Sequence, residues 1–251
     1  MAIENDPNCI ALDFEIERKD LTKNLGENIT HHFGRLELKK CGQEMQVNIN
    51  INHTSKETLK FINILTKDII KHFKNEGKID KNAEIINIKF YDFDNKNRIL
   101  FLLQLSQKVL YTSLIFKDTK NVQICPDDDI SNPPDEIKWM RDKIENSRLS
   151  GKELHNTFFI KESNYLDYIL MFGITCSYYF EGDDFNANCE IEYEFSSRKD
   201  LLDGSELTLN INVTDIKTND NKNISKSKAS KVILDSLEKY KLESYKEYKK
   251  T

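Results

Sequence analysis

The residues of this chain that could do chemistry are thinly spread, and none falls into a recognised catalytic spacing. His31-His32 is the single histidine pair. Neighbouring residues of a strand point to opposite faces, so the pair is badly placed to share a metal. His53, His72 and His155 stand alone. Asp127-Asp128-Asp129 invites a cation-site reading, but a calcium loop takes ligands at alternate positions, bends at a glycine and ends in a distal Glu. With Pro126 before it and Asn132-Pro133-Pro134 after it, the run reads as a solvated loop. Glu181-Gly182-Asp183-Asp184 reads as a hairpin tip. There is no nucleophile elbow, no glycine-rich phosphate loop and no cysteine in a histidine-linked motif. The expectation is a non-enzyme with no catalytic residue, no metal and no cofactor.

The tyrosines carry a different property. Tyr165, Tyr168, Tyr178, Tyr179 and Tyr193 lie in or beside strand-like runs, near Glu190, Glu192 and Glu194. Aromatic residues in strands usually fill the core. A buried phenol is also neutral at pH 7 and ionises only in base, from a usual value of about 10. These five are the candidates for an alkaline switch.

Composition limits the rest. Lys+Arg 37 against Asp+Glu 42 gives a net charge of -5 with the signs interspersed, so no overall basic face for nucleic acid is offered. The first residues lack a basic stretch followed by an apolar one, and apolar runs such as residues 99–103 are too short to span a bilayer. Cys9, Cys41, Cys125, Cys176 and Cys189 are scattered singly, which fits a reduced, cytosolic chain. The basic residues of 226–231 are followed on the same helix by Asp235, Glu238, Glu243 and Glu247, a solvated face.

The elements that must position these groups come from periodicity. At residues 10–16, Ile10, Leu12, Phe14 and Ile16 alternate with Asp13 and Glu15, which favours a strand. Ile10, Phe14, Leu21 and Leu25 also fall on one helical face, so helix and strand both stay open for this arm. Residues 34–41 and 44–52 read as a hairpin, followed by a helix capped by Thr54 or Ser55 and closed by Gly77, with Leu59, Ile62, Ile69, Ile70 and Phe73 inward. Strands are expected at 84–93, 98–106, 109–117, 157–160, 165–180, 189–195 and 207–213. Helices are expected at 134–148 and 230–248, the last with Ile233, Leu237, Tyr240 and Leu242 inward. The fold class is α+β: a mainly antiparallel β-sandwich with flanking helices, an arm at 1–30 and one domain at 31–251.

Read continuously, Asn97-Arg98-Ile99-Leu100-Phe101-Leu102-Leu103-Gln104, then residues 111–116, then Val122-Gln123-Ile124-Cys125-Pro126-Asp127-Asp128 resemble the cypovirus polyhedrins. That family has an Arg-led apolar strand, a second strand and a V-x-V-P-D-E-like turn in this order. Ile137-Lys138-Trp139 and His155, Phe158, Tyr165, Ile169 and Gly173 continue the pattern, and residues 45–52 with Ser55-Lys56-Glu57-Thr58-Leu59 extend it upstream. The likeness lies in order and spacing over residues 34–175. It implies a structural matrix protein of viral occlusion bodies in the cytoplasm of an infected cell. Such a protein would form trimers, pack with itself into intracellular crystals that embed virus particles, and dissolve at alkaline pH. Its partners would be further copies and virions, with no membrane and no direct nucleic-acid contact. Some members hold a nucleotide between subunits, and no residue here is assigned to that. On this reading Ile10, Leu12, Phe14, Ile16 and Leu21 form an assembly arm. The competing reading is a soluble microbial binding or regulatory module with no lattice role, which would bury the arm within one monomer.

Overall fold

The structure, a computed structural model, describes residues 9–19, 22, 29–41, 46–53, 56–82, 85–109, 112–143, 147–195, 204–218 and 224–250. Leu21, Leu25, Met45, Thr54, Ser55 and Tyr111 lie outside them. The chain is an α+β protein of two compact units, Met1–Ile85 and Ile86–Thr251. The arm does not stand apart because its strand pairs with the next one.

In the first unit, β1 (Cys9–Lys19), β2 (Ile29–Cys41) and β3 (Gln46–His53) form an antiparallel meander in that order. The alternation of the arm is therefore that of a strand. Register places Leu12 opposite Leu36 and Phe14 opposite Gly34. The Phe14 ring lies over Gly34, where a Cβ would collide with it. Helix α1 (Lys56–Asn75) covers this side: Leu36, Leu38 and Ile62 are buried, with Leu12, Phe14, Leu65, Ile69 and Phe73 packed around them. Gly77 closes the helix at φ 67°, the left-handed conformation that favours glycine.

The second unit is a five-stranded antiparallel sheet in the order β5-β4-β6-β7-β8. Its strands are β4 (Leu114–Pro126), β5 (Ser147–Ser150), β6 (Ile169–Glu181), β7 (Phe185–Glu194) and β8 (Thr208–Thr218). Helices α2 (Asn95–Leu103), α3 (Asp135–Lys143), α4 (Phe158–Lys161) and α5 (Lys226–Tyr248) accompany it, and α2 and α5 share its main core. Helix α5 begins earlier than expected because Ser225 accepts the backbone N–H of Lys228 at 3.2 Å.

Three expected elements differ. Residues 98–106 form α2 and a π-helical turn at Gln104–Lys108, not a strand. A continuous apolar run has no period to tell helix from strand, and Asp94 decides the matter by accepting the N–H of Asn97 at 2.7 Å as an N-cap. This is the segment that the resemblance reads as an Arg-led strand. Residues 85–93 hold the isolated bridge of Lys89 to Glu206 and the short turn Phe90–Asp92, and 157–160 become the single helical turn α4. Helix α3 stops at Lys143, and the short strand β5 begins at Ser147.

Candidate functional site: a phenol network around a π-helical turn

On β6 and β7 the inward positions are occupied by Ile174, Cys176, Tyr178 and Phe180, and by Ala187, Cys189, Ile191 and Tyr193, all buried. The Tyr178 hydroxyl donates to the backbone carbonyl of Ser106 at 2.6 Å. Its proton is thereby committed, so the Tyr193 hydroxyl, 3.1 Å away, donates to Tyr178. Both rings are essentially inaccessible to water. Burial pushes both phenols well above their usual range, and for Tyr178 the neighbouring Tyr193 adds to it.

Ser106 belongs to the π turn, the wider winding of which presents carbonyls to side chains. Two residues earlier in the same turn, the Gln104 carbonyl accepts Tyr240 of α5 at 3.1 Å and the Gln104 side-chain oxygen accepts Tyr248 at 3.0 Å. The Gln104 amide donates to Glu247 at 2.7 Å, and Tyr245 donates to Asp92 at 2.8 Å. Helix α5 is thus fastened to residues 92–106 by three phenol donors. Tyr245 is pushed up to about 12, first by burial and then by Asp92. Tyr240 and Tyr248 are also raised by burial, with Glu247 adding to both.

Of the five sequence candidates, the structure brings only Tyr178 and Tyr193 together. Tyr179 points to the other face, where Lys117 lies 5.4 Å from its ring centre. Tyr165 and Tyr168 precede β6 in a short turn. Tyr165 is buried and raised by burial, then by Glu136 and Glu162. The carboxylates of Glu190, Glu192 and Glu194 alternate away from Tyr193, so the expected phenol–glutamate contacts on β7 are not formed. Glu192 pairs instead with Arg148 at 3.2 Å. The sequence reading missed Tyr245 and Tyr248, which lie three residues apart on one side of α5.

Among the described residues of the second unit, His155 and the aspartate run have separate surroundings. His155 edges an open cleft of about 310 Å³ with Phe116, Lys117, Asp118 and Lys152. Its Nδ1 lies 3.1 Å from the Thr119 hydroxyl, which lies 3.6 Å from the sulfur of Cys176. Burial pushes the Cys176 thiol up to about 11, so it is protonated and inert at neutral pH. Asp118 accepts the N–H of Glu153 at 2.8 Å and pairs with Lys120 at 3.1 Å, so its carboxylate is engaged there and does not orient His155. Asp127 accepts Asn95 at 2.6 Å and the N–H of Asp129 at 3.0 Å, while Arg141 binds the carbonyls of Asp127 and Ile130. No group of His, Cys, Asp or Glu that could hold a metal occurs among the described residues, and no helix there is long and apolar enough to cross a membrane.

Arg98 is a further residue that the sequence did not announce. It is 1% exposed, with its guanidinium 3.7 Å from the Phe90 ring centre. It donates to Asn95 at 2.7 Å, and Asn95 in turn reaches Asp127. Burial pulls it down to about 10, and nearby Asp127 and Asp94 act to keep it charged. No family model, curated protein or solved structure matches this chain.

Proposed function

We propose that the chain is a self-assembling structural protein of the viral occlusion-body type, stable at neutral pH and taken apart in base. The observation that carries this reading is the phenol network. Tyr178, Tyr193, Tyr240, Tyr245 and Tyr248 all spend their protons on hydrogen bonds within one unit. Ionisation replaces each donor with an anion facing an oxygen, which neither burial nor the acceptors tolerate. The resemblance to polyhedrins supports the lattice role.

Leu12 and Phe14 of the arm pack within their own unit, and Ile10 is exposed. That packing, with the helical state of residues 98–103, favours the second reading, a soluble binding module that stays monomeric.

Expression of the untagged chain in insect cells separates the two. The proposal expects polyhedral intracellular crystals. A protein that stays dispersed and monomeric at high concentration would support the binding module instead.

A further inference from the structure

The first unit carries opposite charge on its two sides. On α1, Lys60, Ile64, Lys67 and Lys71 recur at the spacing of one helical face. All four are exposed, Ile64 at 59%. The three lysines make no ion pair among the described residues; Asp68 follows Lys67, and Glu57 precedes Lys60 by one turn on the same helix. The buried side of the helix, with Ile62 and Thr66, faces the sheet. On β1 the residues that alternate with Leu12 and Phe14 are Asp13, Glu15 and Glu17, and all three are exposed. Because Leu12 and Phe14 pack toward α1, these carboxylates line the opposite side of the sheet. Arg35, shared between Asp13 at 3.1 Å and Glu37 at 2.7 Å, and the exposed Lys19, next in the same alternation, offset them in part. His31 pairs with Glu15 at 2.5 Å.

We propose that the Lys60–Ile64–Lys67–Lys71 face of α1 docks on the Asp13–Glu15–Glu17 face of a second copy of this chain. Two different patches meet in such a contact, so it is heterologous and builds a closed ring or an open filament, not a two-fold dimer. The exposed Ile64, ringed by lysines, supplies the apolar centre of a polar interface. The proposal rests on the self-assembly reading and gives it a surface.

The test uses the full chain at neutral pH, with light scattering and sedimentation as readouts. Wild type should form assemblies larger than a dimer, rings or filaments, that weaken at least roughly tenfold as salt rises from about 0.05 M to about 0.5 M, since exposed ion pairs are screened. K60E/K67E/K71E and D13K/E15K/E17K should each stay monomeric while keeping wild-type circular dichroism. Mixing the two variants should restore assembly, because each then supplies the charge that the other lacks. That rescue is beyond a merely misfolded pair. Wild-type assembly that persists in both variants, or a monomeric wild type whose α1 face binds anionic vesicles or nucleic acid, overturns this contact. Polyhedral crystals from the lysine-reversed variant overturn the contact but leave the structural reading standing. A wild type that forms neither crystals nor assemblies removes both.

Discussion

The hydroxyl of Tyr193 lies 3.1 Å from that of Tyr178, and the second passes its proton 2.6 Å to the carbonyl of Ser106. The two residues are joined in a line that ends on the backbone of the π turn, so they are not equivalent.

Replacing them separately should show this order. Tyr178→Phe strands both the Ser106 carbonyl and the Tyr193 hydroxyl in the core, and is expected to cost about 1–3 kcal/mol. Tyr193→Phe leaves the bond to Ser106 intact and should cost about 1 kcal/mol or less. Urea denaturation of the two variants measures the difference. Equal losses would contradict the line of donors.

Alkaline pH should unfold the second unit. A phenol with a folded value above its unfolded one stabilises the fold fully below the unfolded value, about 10, and that contribution is lost as pH rises through the folded value. For Tyr245 the window runs from that point up to about 12. Arg98 acts the other way, because its lowered value relieves a burial cost as pH rises. The phenols prevail by number, and denaturant midpoints should fall steadily across this window. Tyr245→Phe should flatten the fall. A midpoint independent of pH in that range would contradict the account.

Arg98→Ala removes a buried guanidinium from the Phe90 ring and leaves Asn95 and Asp127 without it. The expected loss is about 2–5 kcal/mol, from the cavity left beside Phe90 and the Asn95 oxygen left without its donor. Arg98→Lys should recover little, since a lysine cannot reproduce the planar stack and the bond to Asn95 together. Thermal unfolding of both variants checks this.

Deletion of the residues before Thr22 removes β1 and uncovers Leu36 and Leu38, so α1 should lose amide-exchange protection. Gly34→Ala, which forces the Phe14 ring off its seat, should produce a milder form of the same effect. Full protection in the truncated chain would mean that the strand is dispensable.

Where an element had a clear period, its residues announced it. The alternation in β3 and the apolar stripes of α1 and α5 gave the right type and nearly the right ends, while that of β1 left strand and helix both open. The apolar run 98–106 carried no period, and its outcome rested on one cap, Asp94, which also reads as a turn residue. Buried tyrosines were legible as a class, but their pairing was not. Tyr178 and Tyr193 meet through the register of β6 and β7, and Tyr240, Tyr245 and Tyr248 reach the π turn only through tertiary packing.

If protonated phenols hold the assembled protein together, assembly and phenolate absorbance must change together when both are recorded in one sample as pH is raised. Crystals or assemblies of the untagged chain should stay intact at neutral pH and dissolve between about pH 10 and 12, together with a late-titrating group of tyrosines. Dissolution well before any phenolate appears, or particles that survive after the late tyrosines have ionised, would contradict it.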